Sequence, residues 1–335
     1  MKKIRINDVA KVAGVSIATV SRALTKSSLV KPATLLHIQK VAKKLSYVTN
    51  GGARSLSSKK SWTIGAVIPS LENAIFANTA FALQKMLREN GYMLLVSCSE
   101  YDLDVEVDLV RGLIERGIDG LILVGTRHKP KTIELIKRFK VPHVFTWAFE
   151  RSGKLPIVGF DHSEATALVT RYLLDLGHRR FGVISTITRN NQNAIDRMLG
   201  VVTTLKLAGI ELPPEFIVEE PFSYSKGADG FRQIFLNKRK PTAVICLNDV
   251  LAIGAISEAR NMGLKVPEDV SITGCEDLEI AAMINPRLTT VKYPTAKMGS
   301  IAAQYIISQL KNEKPILQSI FPTELVVRES SGPPK

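Results

Sequence analysis

Residues 4–24 read IRINDVAKVAGVSIATVSRAL, the pattern of two short helices folded across a glycine turn. Asn7 or Asp8 is placed to cap the first helix, because a short polar side chain accepts from the free backbone N–H groups there. Val9, Ala10 and Ala13 then share one face. Gly14 ends the helix where a positive φ costs least, and Ser16 is placed to cap the next. In the second helix Val20, Ala23 and Leu24 point inward and leave Ile17, Ala18, Ser21 and Arg22 outside. Such a pair is a helix-turn-helix, whose second helix enters the DNA major groove. An ordinary αα corner in some other core has the same local pattern, so the pattern alone does not decide.

Charge decides. Residues 1–60 hold thirteen Lys/Arg and one acid, Asp8, a net +12 of the chain's +14, which leaves +2 for residues 61–335. A concentrated positive field on a near-neutral body marks a polyanion-binding head. A polybasic membrane anchor would need exposed bulky apolar residues or a lipidation site. Tyr47 is the only aromatic before Trp62, and the chain starts MKK, not with the Met-Gly of a myristoylation signal. DNA is the better partner, and no membrane partner is expected.

At 335 residues, 45% apolar and 23% charged, the chain has the length of about two globular domains. No run of about 18 apolar residues offers a membrane span, and the start MKKIRINDVA lacks the apolar core of a signal peptide. A cytoplasmic location is the expectation. Cys98, Cys246 and Cys275 are widely spaced in apolar segments and read as buried thiols. The five histidines form no HxxxH pair or Cys/His cluster, so neither a metal nor a cofactor is expected.

A third helix follows the pair. Pro32 suits its first turn, and Leu35, Ile38, Val41, Ala42 and Leu45 make one apolar stripe. Residues 1–49 therefore read as the DNA-binding domain. Residues 50–61, rich in Gly and Ser, read as a hinge, in which Asn50 is placed to cap a short helix carrying Ala53 and Leu56. From Trp62 the texture becomes short apolar runs alternating with amphipathic ones. Strands are expected at 64–68, 93–97, 120–124, 143–147, 157–160, 181–185, 243–247 and 271–275. Helices are expected at 76–90, 104–117, 163–176, 192–209, 226–236, 249–262 and 296–311. Continuous apolar strands separated by helices mean parallel βαβ units covered on both faces. The fold class is thus an all-α helix-turn-helix head on an α/β body, 62–330, of two doubly wound parallel-sheet subdomains. Their cores fall at about 62–161 and 162–290, with the chain crossing back after 290. Ligands in such folds bind at the carboxyl ends of the strands. The residues following those strands include Ser70 to Phe76, Thr126 to His128, Asp161, Asn248, Asp249, Glu276 and Asp277, with Asp249 in the position of a helix cap.

The string INDVAKVAGVSIATVSRAL, followed in order by VTNGGARSL, LGHRRFGVI, AVICLNDVLAIGA, GLKVPEDVSITG and PRLTTV, resembles the lactose-repressor (LacI/GalR) family of bacterial transcription regulators. The likeness runs from about residue 4 to about residue 328. It implies a homodimer whose paired heads read a near-palindromic operator, and a periplasmic-binding-protein-like body that senses a small molecule in its cleft. Ile17, Ala18 and Arg22 are then the base readers, Arg22 pairing with guanine and the other two meeting thymine methyls. Ser16, Thr19, Ser21 and Asn50 would hold phosphates, and Leu56 would wedge into the minor groove. On the effector side Arg197, in the string DRMLG, matches a ligand-gripping arginine, and Ser70, Asn73, Phe76, Thr126, Asp161, Phe222, Asn248 and Glu276 stand at matching positions. The strings LVGTRHKPKTIELI, FSYSKG and KMGSIAAQ look most like the gluconate-repressor branch. That implies a sugar acid or its phosphate, with Arg197 on the anion and His128 nearby.

Two departures stand out. The string GCED places Glu276 where the family usually has Asp, and its extra methylene moves the carboxylate by about 1.5 Å. Gly51 and Gly52 stand where better helix formers are usual, so the hinge is expected to order only on DNA, at a cost to affinity. Replacing both glycines by Ala should tighten operator binding by about 1–2 kcal/mol in a filter-binding or anisotropy titration. Unchanged or weaker binding removes the idea.

Other classes compete less well. A solute-binding receptor of the same body fold has no use for a +12 head. An enzyme would be expected to carry a GxGxxG, Walker A, GxSxG or HExxH string, and the sequence contains none. A nonspecific nucleoid protein would share the salt dependence but not the sequence discrimination. The chain ends VVRESSGPPK without a heptad repeat, so a dimer is expected rather than a coiled-coil tetramer.

Overall fold

A computed structural model describes residues 4–25, 29–48 and 60–335. The hinge residues Asn50, Gly51, Gly52 and Leu56 lie outside the described residues. In the head, α1 (Ile6–Ala13), α2 (Ile17–Thr25) and α3 (Pro32–Lys44) bury Val9, Ala10, Ala13, Val20, Ala23, Ile38, Val41 and Ala42 against one another. Gly14 takes φ +65°, the left-handed conformation that ends α1. Ser16 caps α2, its Oγ accepting from Thr19 N at 3.1 Å. At α1 the cap is Arg5, not Asn7 or Asp8, which both lie inside the helix. Asp8 still serves the helix end, because its carboxylate accepts from Arg5 N at 2.8 Å.

The body begins with β1 (Thr63–Ile68), α4 (Ala74–Glu89), β2 (Met93–Cys98), α5 (Leu103–Glu115), β3 (Gly120–Val124), α6 (Pro130–Arg138), β4 (His143–Thr146) and β5 (Ile157–Gly159). It then passes to α7 (His162–Asp175), β6 (Phe181–Ser185), α8 (Gln192–Leu207), β7 (Ile217–Glu219), α9 (Tyr224–Phe235), β8 (Ala243–Cys246), α10 (Asp249–Asn261) and β9 (Ser271–Thr273). It returns through β10 (Thr290–Lys292), α11 (Thr295–Leu310), β11 (Gln318–Ile320) and β12 (Glu324–Val326). Among the described residues one parallel sheet runs β11-β5-β4-β3-β1-β2 and a second runs β7-β6-β8-β9. The body is therefore α/β with two parallel sheets. Their central strands are almost wholly buried, as both faces of a helix-covered parallel sheet require, while the edge strands β2, β11 and β7 are partly exposed.

Three stretches join the halves. One leads from β5 to α7, one from β9 through β10 to α11, and the last carries β11, paired with β5, to β12, paired antiparallel with β10. The tail then returns to the second sheet, where Ile272 N donates to Ser330 O at 2.8 Å. Rings from two crossing segments pack together, Phe160 with Tyr293 at 4.5 Å, and Trp147, just after β4, packs on Phe160 at 5.8 Å between centroids. In the second half α9 and α10 touch backbone to backbone. A Cβ on Gly254 would stand 2.0 Å from Tyr224 O, which explains the glycine there.

Candidate functional site

The carboxyl ends of the two sheets face a common cleft of about 770 Å³. Arg197 lies at its inner end. The residue sits on α8 and is 6% exposed, fixed by Nη1 donating to Leu247 O at 2.7 Å and Nε donating to Asn193 O at 3.2 Å. The Glu276 carboxylate stands 3.7 Å from Arg197 Nη1 and accepts from Asn73 Nδ2 at 3.3 Å. Glu276 Oε2 is buried without a partner, as are Asn248 Nδ2, His162 Nδ1 and Trp147 Nε1 among the described residues. Unpaired buried polar atoms are costly, and clustered ones call for a role. Backbone strain is concentrated here too. Glu100, Tyr101, Asn190 and Glu276 all line the cleft with φ of +53°, +60°, +59° and +128°. Such conformations cost about 1–3 kcal/mol each and gather at functional sites.

Of the effector residues expected from sequence, Ser70, Asn73, Arg197, Phe222 and Glu276 come together on this cleft. Phe76 is buried behind it, its ring 5.2 Å from that of Trp147. Thr126 follows β3 and is not on the lining. Asp161 caps α7, accepting from Ser163 N at 2.9 Å, and faces a separate hollow beside Asp196. Asn248 is fully buried and caps α10, its Oδ1 accepting from Leu251 N at 2.8 Å. The cap of α10 is thus Asn248 and not Asp249. Asp249 is instead buried beneath the cleft, where it accepts from Leu278 N and Thr290 Oγ1 at 2.8 and 2.5 Å. His128 is not on the cleft lining. Its Nδ1 meets Glu106 at 2.9 Å and its Nε2 meets Gly125 O at 3.1 Å, so its ring braces the end of β3. Sequence reasoning missed Tyr101, Asn190 and Asn191, which line the cleft from the loops after β2 and before α8.

The charges of the site depart from their usual behaviour. Burial pushes the Glu276 carboxyl up to about 8, with Arg197 pulling it back down, and burial raises Asp249 to about 7. Burial works against the Arg197 charge, yet its pKa stays above the usual arginine value and the side chain remains a cation. A carboxyl whose folded pKa is raised holds its proton more tightly folded than unfolded, so its contribution to stability falls as pH rises toward the folded value. The buried histidines His143, His162 and His178 are lowered by burial and act in the opposite sense below about pH 6.5. The clean window lies above them. Between about pH 7 and 9 the melting temperature should fall, and Glu276→Gln should flatten that fall in scanning calorimetry. An equal slope in the variant would show that Glu276 titrates normally.

On the head, Ile17 and Ala18 are exposed and so is Arg22, while Thr19 and Ser21 are half-buried along the flank of α2. The Ser16 and Thr19 hydroxyls are 2.8 Å apart at its N-terminus. Arg22 donates through Nε to Ala18 O at 3.2 Å, not through the Nη fork that pairs with guanine. Ile17, Ala18 and Arg22 thus lie on the outward face of α2, with Thr19 and Ser21 on its flanks and Ser16 at its N-terminus. Among the described residues no group of His, Cys, Asp and Glu could hold a metal ion, and no helix is long and apolar enough to cross a membrane.

Comparison with known proteins gives two matching domain families. Residues 5–50 match bacterial regulatory proteins of the lacI family, and residues 170–331 match a periplasmic binding protein-like domain. The HTH-type transcriptional regulator RegA of Clostridium saccharobutylicum is 31% identical over 328 residues, covering 97% of this chain and 98% of RegA. Among solved structures, the transcription regulator GntR from Chromobacterium violaceum is 30% identical, covering 80% of this chain and 99% of that one, with a TM-score of 0.77. The lac repressor dimer bound to operator and the anti-inducer ONPF is 25% identical, covering 99% of this chain and all of that one, with a TM-score of 0.88.

Proposed function

The chain belongs to the lacI family of bacterial regulatory proteins, and from that premise we propose that a sugar acid or its phosphate, bound in the cleft, sets its affinity for operator DNA. It is a DNA-binding transcriptional regulator with an effector-binding body, like its relatives. The observation that carries the ligand class is Arg197. It is a buried cation at the closed end of a cleft whose walls also present Asn73, Ser70, Asn191 and the face of Phe222. A cation attracts the acid group, amides and hydroxyls pair with ligand hydroxyls, and an aromatic face covers C–H edges. The DNA readers in this reading are Ile17, Ala18 and Arg22, with Ser16, Thr19, Ser21 and Asn50 on phosphates and Leu56 in the minor groove. Residues 1–49 form the head, 50–61 the hinge and 62–330 the body, and two copies pair to reach successive half-sites. The ligand binds one arrangement of the two halves better than the other, because only differential affinity shifts an equilibrium.

A thermal-shift screen of sugars, sugar acids and their phosphates tests this. A true ligand at about 100 times its Kd stabilises the fold by about 2.7 kcal/mol, roughly 5–10 °C for a body of this size. Shifts with neutral sugars alone, or with none of the panel, would overturn the ligand class.

A further inference from the structure

The inner cleft holds one residue to which the account so far gives no role. Tyr101 lies between the end of β2 and Asp102, whose carboxylate caps α5 by accepting from Asp104 N at 2.7 Å. Beyond Cys98 the pairing with the β1 end continues. Ser99 N donates to Ile68 O and Glu100 N to Pro69 O, each at 2.9 Å. Glu100 and Tyr101 then both adopt left-handed backbone, φ +53° and +60°, and Asp102 N returns to Ser99 O at 2.8 Å. Two such residues in succession persist only where their surroundings hold them. The turn is stitched to the segment that leads into Ser70 and Asn73, and it sets Tyr101 on the cleft wall. There the phenol feels the charges of both Arg197 and Glu276, and burial pushes its pKa up to about 12, so it keeps its proton.

Arg197 alone is a weak judge of ligand charge. Its Nε and Nη1 are already committed to Asn193 and Leu247 carbonyls, and Glu276 competes for it at 3.7 Å. From this placement we infer that Tyr101 selects the effector's charge, its hydroxyl donating to the acid group that Arg197 attracts. A hydroxyl bonded to an anion is roughly twice as strong as the same bond to a neutral acceptor. Tyr101 belongs to the wall of the first sheet and Arg197 to that of the second, so an acid held by both bridges the two halves. A neutral polyol of the same carbon skeleton lacks that bridge. The inference rests on reading the cleft as the effector site and adds the residue that tells acid from polyol.

The test compares the full chain with Tyr101→Phe, which keeps the ring, by isothermal titration with D-gluconate, 6-phospho-D-gluconate and the neutral D-glucitol. The variant should bind the better acid about 10- to 100-fold more weakly. Its glucitol binding should weaken far less than its acid binding, and its ligand-free melting temperature should be unchanged. Equal acid binding by both proteins overturns the role of Tyr101 and leaves the cleft as the effector site. Uniform weakening of acid and polyol with a lowered melting temperature assigns the ring a structural role and also overturns the inference. If the unaltered chain binds none of the three, the sugar-acid reading fails and the inference with it.

Discussion

Arg197→Met is expected to leave operator binding in place and to remove the response to effector. The methionine stem fills much of the arginine's volume, so α8 keeps its packing against α7, where Thr166 Oγ1 donates to Arg197 O at 2.7 Å. What disappears is the charge. The side-chain donors to Leu247 O and Asn193 O are lost, and Glu276 loses the Arg197 cation while its Oε2 already lacks a partner. Removing one member of a buried pair typically costs about 3–5 kcal/mol. Part of that is recovered by protonation of Glu276, whose pKa is already raised to about 8. The double variant Arg197→Met/Glu276→Gln should therefore be more stable than the single one, yet equally unresponsive to ligand. Denaturant titration reads the first difference and calorimetric ligand titration the second. Acid binding within threefold of the original would show that Arg197 is a structural strut and not the anion's partner.

The second large effect falls on the head. Arg22→Ala should weaken operator binding about 10- to 100-fold and relax preference at one base pair per half-site. The two other proposed base readers, Ile17 and Ala18, offer only apolar surface, so no fork from either can substitute. Thr19→Ala, on a proposed phosphate contact, should weaken binding more evenly across sequences and lower the salt slope by about one. Deleting residues 1–60 should abolish operator binding outright, since net +12 of the chain's +14 goes with them, while ligand binding survives. A selection from random duplexes analysed for each variant distinguishes these outcomes. If Arg22→Ala keeps the original site preference at every position, Arg22 does not read a base.

Much of the body was legible because its strands are continuous apolar runs. FGVIS and GLILV are β6 and β3 to the residue, since a parallel sheet covered on both faces favours continuous apolar runs. Short, partly exposed elements were not. β7, β10, β11 and β12 are three residues each with exposed or half-buried positions, whereas β5 and β9, equally short but fully buried, lie in apolar runs that show. The helix PKTIELIKR buries only Thr132 and Ile136, a stripe that its charged neighbours obscure. Adjacent capping residues such as Asn248 and Asp249 cannot be ranked by spacing, because either can accept from the first turn. At the candidate site, the rule that ligands lie beyond strand ends reaches Ser70, Asn73 and Glu276 on the cleft wall, and beyond β2 and β6 it reaches Tyr101 and the loop holding Asn190 and Asn191. Phe76 and Asp161 lie close to the cleft in sequence, yet one is taken up by ring packing and the other by a helix end.

Everything turns on communication between the cleft and the head. The direct measurement is an anisotropy titration of a selected operator with the full chain, run without ligand and with a saturating sugar acid identified in the thermal-shift screen. The account predicts at least a tenfold change in operator Kd, lost in Arg197→Met. An operator Kd that stays the same with and without a demonstrably bound acid would contradict it.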